Sequence, residues 1–566
     1  MRLTVVLAVT LLAAGAQAAP RPPVAGPPSP DRVMVSAANP AAVQAGLTVL
    51  RAGGSAVDAA VAVQAALGLV EPQSSGLGGG AFMVYYDARA RRVTAYDGRE
   101  TAPAGATPDM FLRPDGTTLP FSQAVLSGRS AGAPGALAML FLAHHENGKL
   151  PWASLFEESE RLAQNGFLVG PRLAGLVAGG APQAKAPDVV AYFTKPDGTL
   201  IKAGDTIHNL AYAATLRRIA KEGPAALLTG PIAADIVKRL AQDPLPGTMT
   251  LADLAAYRPH EAKALCRPYR ANLVCEPNAP SGGPATLEGL GLLERTDIAS
   301  RGPGDATAWF ELAQAERLMY ADDQHYVADP AFVDVPVAGL LDPHYLEARA
   351  RLIGDHAGPA PAPGRPVGAP ARGADATREP GGTSSFAIVD KWGDVAVMTT
   401  TVESVFGDGR MVDGFLLNNQ LTDFSFAPRE KDGTAAANAV GPGKRPRSSM
   451  APTLVLDSKG GFLAAVGSPG GLAIPAYVLK VLVGVLDWNL SMQAAIDLPN
   501  LIAIGDFYIS EPAKVPPDVK AGLAQRGVTL RGGFGAEASG LHGILVRDGR
   551  LDGGADPRRE GVALGY

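Results

Sequence analysis

The chain has 566 residues, of which 47% are hydrophobic and 19% are charged, and its formal net charge is −5. This composition is typical of a globular protein with more than one domain's worth of residues. The small net charge argues against a nucleic-acid or polyanion partner. The 67 glycines and 48 prolines predict many turns and irregular connections.

The first 18 residues have the pattern of a secretory signal peptide. Arg2 supplies a positive start, residues 3–14 form an apolar run, and residues 16–18, Ala-Gln-Ala, match a cleavage site. The run is shorter than the ~20 apolar residues that span a bilayer. We therefore expect a mature chain that starts near Ala19, has no membrane span, and is periplasmic or secreted.

Two helices are predicted near the start of the mature chain. The first ends at a glycine pair, residues 53–54, and the second begins with the capping pattern Ser55-x-x-Asp58 and ends before Pro72. The turn "SSGLGGG" then leads into a strand, and a second strand ends at Arg99. The glycines have dinucleotide-site spacing, but helix–turn–strand reverses the order that such a site needs. We predict a close-packed turn instead.

The rest of the chain divides into a helical and a strand-rich part. Residues 107–351 are predicted to be mostly helical, and "AWFELAQAERLMYADD" is the clearest helix, with one apolar face. Residues 356–382 are rich in Pro, Ala and Gly, which predicts a flexible linker. Strands then predominate, one of them predicted in "GFLLNNQLTDF", and they are interrupted by a helix in "AYVLKVLVGVLDW". Helices that flank strand-rich layers predict an α/β sandwich.

The chain contains two cysteines, Cys266 and Cys275. A hairpin turn at Arg270-Ala271 would place them opposite each other, so a disulfide is one outcome in an oxidising compartment. Two unpaired, half-buried thiols are the other. Neither cysteine belongs to a C-x-x-C motif or a histidine cluster, so both are interpreted as structural. No metal-ligand, nucleotide or Ser-His-Asp hydrolase motif is present, and we expect no cofactor and no metal.

Thr383 lies at the boundary between the linker and the strand "TSSFAIVD". A threonine at the start of a strand usually reflects β propensity alone. Here, however, Gly382 offers an unhindered carbonyl, and a three-residue loop "KWG" would place Thr383 opposite Thr401. Cleavage after Gly382 would free an α-amino group with a pKa of ~7.7–8.0. Thr383 would then carry both a nucleophile and its base.

Several motifs resemble the γ-glutamyltransferase family of N-terminal nucleophile hydrolases, also called γ-glutamyl transpeptidases or glutathione hydrolases. They are "GGSAVDAAVAVQAALGLVEPQSSGLGGGAFMVYYD", "YDGRETAP", "GGTSSF", "LLNNQLTDFS", "AVGPGKRPRSSMAPT", "GSPGG" and "ADPRREGVALGY". The resemblance implies an αββα four-layer sandwich, made as a proenzyme that cleaves itself. Residues 19–382 would form the large subunit and residues 383–566 the small one, and the two would stay associated as a heterodimer.

The resemblance also implies a role for each site residue. Thr383 would be the nucleophile, Thr401 would hydrogen-bond it, and Arg99 would hold the substrate α-carboxylate with its guanidinium fork. The remaining implied groups are Asp423 with Gln420 at the substrate ammonium, Ser448 and Ser449 at the carboxylate, and Gly470 and Gly471 as N–H donors to the oxyanion.

Two features depart from the family's common pattern. Glu403 stands two residues after Thr401, where asparagine is common. A carboxylate there strengthens contact with an ammonium and repels another carboxylate unless it is protonated or re-aimed. The segment between Asp423 and Gly441 is short and has no tyrosine, which predicts a more open pocket with room for bulkier substrates. Both features concern the substrate rather than the cleavage of an amide.

The resemblance implies an exported, self-processing amidase that attacks a γ-glutamyl amide such as glutathione. A γ-glutamyl ester of Thr383 would pass to water or to an acceptor amine. One alternative keeps the nucleophile and changes the substrate, as in a cephalosporin or glutaryl acylase or a poly-γ-glutamate depolymerase. Another is a non-catalytic binding protein with the same fold, against which the intact threonines and glycine pair argue.

Overall fold

The computed structural model describes residues 32–373, 375, 377–429, 433–533 and 535–566. The predicted signal peptide, residues 1–18, lies outside this part of the chain. Within the described residues, no helix is both long enough and apolar enough to cross a lipid bilayer.

The strands are short and spread over the whole chain. In order they are β1 (Met34–Ala37), β2 (Gly80–Asp87), β3 (Arg92–Gly98), β4 (Phe167–Leu168), β5 (Thr206–Ile207), β6 (His260–Lys263), β7 (Leu265–Tyr269), β8 (Asn272–Glu276), β9 (Thr383–Val389), β10 (Val395–Thr401), β11 (Met411–Val412), β12 (Phe415–Leu416), β13 (Thr453–Leu456), β14 (Phe462–Gly467), β15 (Leu501–Ile504), β16 (Phe507–Ser510), β17 (His542–Arg547), β18 (Arg550–Ala555) and β19 (Val562–Gly565).

Most helices lie between β3 and β9. In order they are α1 (Pro40–Arg51), α2 (Ala56–Val70), α3 (Phe121–Ala124), α4 (Ala136–Asn147), α5 (Glu157–Asn165), α6 (Pro171–Val177), α7 (Pro187–Phe193), α8 (Leu210–Glu222), α9 (Ala225–Leu228), α10 (Pro231–Leu240), α11 (Leu251–Ala256), α12 (Gly283–Leu293), α13 (Ile298–Arg301), α14 (Ala306–Tyr326), α15 (Val337–Leu340), α16 (Pro343–Ala350), α17 (Ile474–Leu486), α18 (Met492–Asp497) and α19 (Pro517–Gln525).

Two antiparallel sheets stack face to face at the centre. One has the strand order β19-β1-β9-β10-β2-β3-β6, and the other β18-β17-β14-β13-β8-β7. Because side chains alternate along a strand, Phe386 and Ile388 of β9 pack on helices such as α1 and α2. Ala387 and Val389 pack between the sheets instead. Helices including α12, α14 and α17 cover the second sheet. The molecule is the predicted αββα four-layer sandwich.

More residues of β9 and α14 are buried than the sequence pattern indicates. Strand β9 alternates apolar and polar residues, which is typical of a half-buried strand, yet all seven of its residues are buried. Helix α14 was predicted to have one apolar face, but its polar residues Glu316 and Arg317 are buried too. Both elements are covered on both sides. Strand β9 lies between a helical layer and the second sheet, and α14 packs against α12, α19 and β15.

The elements near the start agree with the sequence. Helix α1 ends just before the glycine pair, and α2 begins with a capping box in which Ser55 and Asp58 each accept from the other's backbone N–H. The glycine turn is close-packed, as predicted. A Cβ on Gly79 would lie 2.9 Å from the Thr401 carbonyl carbon and closer still to its oxygen. The turn therefore fixes the end of β10.

The stretch "GFLLNNQLTDF" was predicted to be a strand and is mostly not one. Only Phe415–Leu416 forms a strand, Leu417 makes a single bridge to Gly78, and a short 3₁₀ turn covers Gln420–Asp423. Asn418 accepts from the Gly132 N–H and donates to the Gly78 carbonyl. Asparagine side chains that bond backbone groups compete with strand pairing in this way.

The cysteine hairpin has the predicted turn. Tyr269 pairs with Asn272 at the end of β7–β8, and Cys266 pairs with Cys275. The two sulfur atoms form a disulfide with a length of 2.07 Å. The unpaired-thiol alternative does not describe this structure.

Residues 356–382, the predicted linker, contain no helix or strand in their described part. They nevertheless contact the body of the protein. Ala357 donates its N–H to the Arg526 carbonyl, and Gly364 donates to Asp322 at 2.6 Å. Composition predicted the lack of regular structure correctly, and the segment's flexibility remains a prediction.

Candidate active site

The β9–β10 pair brings two threonines together. Asp390 donates its N–H to the Asp394 carbonyl, which closes the loop of residues 391–393 and sets the register. Thr383, the first residue of β9, therefore pairs with Thr401, the last of β10. Their hydroxyl oxygens are 3.1 Å apart. The predicted register is confirmed.

The Thr401 hydroxyl uses its full hydrogen-bonding capacity. It accepts from the Thr383 hydroxyl at 3.1 Å and from the Glu403 N–H at 2.7 Å, and it donates to the Gly382 carbonyl at 2.9 Å. A hydroxyl has one proton to donate and two lone pairs. Thr401 thus orients the Thr383 side chain and polarises the carbonyl of the preceding peptide.

The backbone around Gly382 leaves no room for a side chain. A Cβ there would lie 2.7 Å from the Val405 backbone nitrogen and closer still to Glu403 O and Ser404 C. On the other side of the peptide, Arg559 donates to the Thr383 carbonyl at 2.8 Å. The Gly382–Thr383 peptide is therefore held from both ends.

A single cavity collects nearly all the site residues that were predicted from the sequence. It is lined by Arg99, Thr383, Thr401, Glu403, Gln420, Asp423, Ser448, Ser449 and Gly471. Glu379 and Pro380 of the segment before Thr383 line it too, and its volume is about 20 Å³, space for roughly one water molecule.

Arg99 is buried and firmly engaged. Its Nη2 donates to Asp423 Oδ2 at 2.6 Å and to the Arg447 carbonyl at 2.5 Å, and its Nε donates to the Pro446 carbonyl at 3.1 Å. Gln420 Nε2 also donates to Asp423 Oδ2, at 2.7 Å. The three groups form one network, with Asp423 at its centre.

Glu403 and Asp423 form a buried pair of carboxyl groups. Burial, and secondly the charge of Asp423, raise the pKa of Glu403 well above its usual range. Burial also raises the pKa of Asp423 to about 6, although Arg99 acts in the opposite direction. Glu403 Oε1 and Asp423 Oδ1 receive no hydrogen bond from any other described group, and a hydrogen bond between the two carboxyl side chains also raises the pKa of Glu403. At neutral pH the pair therefore keeps a negative charge on Asp423 that a cation can meet.

One residue of the serine pair hydrogen-bonds a carboxylate of the chain itself. Ser449 donates to Glu379 Oε2 from its hydroxyl at 2.5 Å and from its N–H at 3.1 Å. Arg447 Nε donates to Glu379 Oε1 at 3.2 Å. Ser448 instead bonds along the backbone, where its N–H donates to the Pro280 carbonyl. Only Ser449 of the two therefore contacts a carboxylate here.

The glycine pair borders the same cavity. Gly471 lines it and begins the 3₁₀ turn Gly471–Ala473. The first N–H groups of such a turn have no partner within the turn itself. Gly470 lies against the segment before Thr383, since a Cβ on Gly381 would be 3.5 Å from the Gly470 carbonyl carbon. Both glycines thus lie beside the segment that precedes Thr383.

Comparison with known proteins assigns the chain to a family. The family model described as gamma-glutamyltranspeptidase matches residues 42–566. The chain belongs to the gamma-glutamyltranspeptidase family. It is 35% identical over 548 residues to a glutathione hydrolase proenzyme of Bacillus subtilis, and the match covers 94% of this chain and 91% of that one. A glutathione hydrolase proenzyme of Escherichia coli is 35% identical over 576 residues, covering 97% and 96%.

A solved structure shares the whole fold of this gamma-glutamyltranspeptidase family member. The cephalosporin acylase from Bacillus halodurans superposes with a TM-score of 0.85 at 26% identity, and the match covers 97% of this chain and 98% of that one. The same scaffold therefore occurs in a protein named for a different substrate.

Three residues at the site of this gamma-glutamyltranspeptidase family member were missed in the sequence. Glu379 lies in a segment whose composition indicated only a linker. Arg447 directly precedes the serine pair, and Arg559 lies in the terminal motif, but neither position suggested a contact with the Thr383 segment. Burial lowers the pKa of Arg559 to about 9, with a further contribution from Arg172. The motifs could have drawn attention to both arginines, though not to their partners.

Proposed function

We propose that the protein is an exported, self-processing γ-glutamyl amide hydrolase and transferase. The observation that carries this proposal is the Thr401 hydroxyl, which bonds both the Thr383 hydroxyl and the carbonyl of the peptide before it. Such an arrangement serves a hydroxyl that attacks its own backbone. The family assignment agrees with it, because several relatives are named glutathione hydrolase proenzymes.

Self-cleavage would follow from this geometry. Thr383 Oγ1 attacks the Gly382 carbonyl carbon, the C–N bond breaks, and the hydroxyl proton ends on the freed nitrogen. Water then opens the ester, which leaves a carboxylate on Gly382 and an amine and a hydroxyl on Thr383. Residues 19–382 would form the large subunit and residues 383–566 the small one.

Catalysis would use the same atoms a second time. The freed Thr383 amine has a reference pKa of ~7.7–8.0 and can take the hydroxyl proton as the hydroxyl attacks a substrate amide. The N–H groups at Gly470 and Gly471 would bind the oxyanion. The amide C–N bond then breaks, and the amine leaves with the proton that the Thr383 amine had taken. The γ-glutamyl group of the resulting ester passes to water, which gives hydrolysis, or to an acceptor amine, which gives transfer.

The buried carboxyl pair favours a substrate with an ammonium group. Asp423 keeps a buried negative charge beside Glu403 at neutral pH, and a γ-glutamyl group carries an α-ammonium that can meet it. A glutaryl group has none. The likeness to the cephalosporin acylase makes glutaryl amide cleavage the second candidate.

The mature protein would act outside the cytoplasm. The sequence of residues 1–18 has the pattern of a signal peptide, and export would supply the oxidising conditions that suit the disulfide between Cys266 and Cys275. We propose a periplasmic or secreted heterodimer of the two subunits, with no cofactor.

The test compares wild type with Thr383→Ala and Thr383→Ser. On a denaturing gel, wild type should give two bands and Thr383→Ala one. The serine variant keeps a hydroxyl and should still be cut, although more slowly. Wild type should hydrolyse γ-glutamyl-p-nitroanilide in preference to glutaryl-p-nitroanilide, and Thr383→Ala neither. Activity on the glutaryl compound alone would favour the acylase, and an inert, uncut wild type would contradict the proposal.

A further inference from the structure

A second cavity lies beside the segment that precedes Thr383. Its volume is about 320 Å³, which is in the range of cavities that bind small organic molecules. Most of its wall is apolar and is formed by Leu119, Pro120, Phe121, Phe426 and Ala427, and Arg378 adds a charged side chain. We call it the aromatic cavity. It shares no lining residue with the cavity at Thr383.

Phenylalanine rings give the aromatic cavity flat walls. Phe426 stacks on Phe111 with the ring centroids 4.5 Å apart and an angle of 16° between the planes. The ring of Phe121 lies 6.4 Å from that of Phe426, at an angle of 15°. Phe111 is buried behind this wall, whereas Phe121 and Phe426 are only half-buried. Because aromatic rings stack favourably on other rings, the wall suits a ligand with a flat ring.

The guanidinium group of Arg378 has no partner within the described part of the chain. It is exposed and forms neither a hydrogen bond nor an ion pair with another described residue. The residue before it is anchored, because Thr377 accepts from Asn438 Nδ2 at 3.2 Å and donates its N–H to Asp375 at 3.0 Å. Cleavage after Gly382 would leave these bonds intact. Arg378 is therefore a cation that can pair with a ligand carboxylate.

The aromatic cavity is close to the candidate active site along two stretches of chain. Arg378 directly precedes Glu379, which lines the cavity at Thr383. Phe426 follows Asp423, which lines that cavity as well, by three residues. Three residues of extended chain span about 10 Å at most. An amide whose γ-glutamyl group is at Thr383 can thus reach the aromatic cavity with a side chain of its amine part.

We propose that the aromatic cavity binds the amine part of the substrate, and that this part is an aromatic amino acid. Its ring stacks on Phe121 and Phe426, and its carboxylate pairs with Arg378. The inference rests on the proposed γ-glutamyl function and names a substrate class for it. It agrees with the short segment after Asp423, from which room for bulkier substrates was predicted.

The experiment measures kcat/KM, per cut molecule, for γ-glutamyl-L-phenylalanine, γ-glutamyl-L-alanine and γ-glutamyl-L-phenylalanine amide. Wild type should prefer the phenylalanine compound to the alanine compound about tenfold or more, the factor expected for burying a phenyl ring. Ala427→Trp fills the cavity and should reduce this preference to about twofold or less, with little change for the alanine compound. Phe426→Ala removes part of the wall and should reduce the preference in the same way.

The role of Arg378 is tested with the carboxylate of the substrate. Arg378→Gln should lower kcat/KM for γ-glutamyl-L-phenylalanine about tenfold, the loss expected for one charge-assisted hydrogen bond. The amide compound lacks that carboxylate and should change by less than about twofold. Arg365→Gln is the matched control, because Arg365 is an exposed arginine earlier in the same segment and outside the aromatic cavity. It should change neither value.

The outcomes separate this inference from the proposed function. Phe426→Ala also loses the contact with Phe111, so Ala427→Trp, which removes no side chain from the wall, is the deciding variant. A preference for phenylalanine that survives Ala427→Trp, or a wild type without that preference, overturns the inference and leaves the proposed function intact. If wild type cleaves neither these compounds nor γ-glutamyl-p-nitroanilide, the proposed function itself fails, and this assignment fails with it.

Discussion

At the residue scale, the candidate site depends on a peptide bond that is held more tightly than its neighbours. Gly382 sits against Glu403, Ser404 and Val405, and its carbonyl accepts from Thr401. Gly381, one residue earlier, has only ordinary van der Waals neighbours around a Cβ position. Two adjacent glycines therefore have different tolerance for a side chain.

This difference gives a prediction with its own control. Gly382→Ala should slow self-cleavage at least tenfold, because the added methyl group would displace the carbonyl from the Thr401 hydroxyl. Gly381→Ala should be cut at nearly the wild-type rate. The measurement is the fraction of uncut chain against time after synthesis, read on a denaturing gel. Equal rates for the two variants would show that the close contact at Gly382 does not position the reacting bond.

The raised pKa of Asp423 predicts that substrate binding depends on pH. Burial raises its pKa to about 6, so its carboxyl group becomes protonated as the pH falls through 6. A neutral carboxyl no longer attracts the substrate ammonium, and KM for γ-glutamyl-p-nitroanilide should rise about tenfold for each pH unit below that value. KM for glutaryl-p-nitroanilide, which has no ammonium, should show no such rise. The same acid dependence for both compounds would contradict the assigned role of Asp423.

At the element scale, the β9–β10 hairpin positions the two threonines of the site. A three-residue loop and a regular antiparallel register put Thr383 and Thr401 at the open end of the two strands. Immediately afterwards the chain turns sharply, since Glu403 has φ = 80°, a conformation that few non-glycine residues adopt. The turn carries the Glu403 carboxyl group toward Asp423. Alternation and loop length predicted the hairpin, but the turn at Glu403 had no signal in the sequence.

The short 3₁₀ turn Gln420–Asp423, unlike the hairpin, was not predicted from the sequence. Its sequence has strand-like residues, yet Asn419 holds this stretch by accepting from the Ser404 N–H and donating to the Glu403 carboxylate and the Thr422 hydroxyl. Ser404 and Glu403 lie outside this turn, so local propensity could not indicate the bonds to them. The irregular backbone is what lets Gln420 and Asp423 both reach the cavity.

At the scale of the whole molecule, the two expected subunits share both sheets. Strands β9 and β10 lie between β1 and β2, so the centre of the first sheet would come from the small subunit and its neighbours from the large one. In the second sheet, β13 pairs with β8 in the same way. The contacts include backbone ladders and buried apolar side chains, together with ion pairs such as Arg99–Asp423.

We therefore expect the cut protein to remain one particle. Size-exclusion chromatography in buffer with 1 M NaCl should give a single peak that contains both fragments in equal amounts, because salt screens surface charges and leaves sheet pairing and apolar contacts in place. Thr383→Ala, which stays uncut, should elute at the same volume. Separation of the fragments without a denaturant would contradict this interleaved arrangement.

The sequence by itself determined the local elements, the Thr383–Thr401 register and the set of residues that the family resemblance selects. These follow from short-range patterns: alternation, capping residues, loop length and fixed motifs. Only the tertiary structure decided that β9 and α14 are buried on all sides, that Arg99 is engaged with Asp423, and that Glu379 occupies the serine and Arg447 site. Each of these depends on contacts between segments far apart in the chain. A local sequence pattern does not indicate which distant residue packs against a given position.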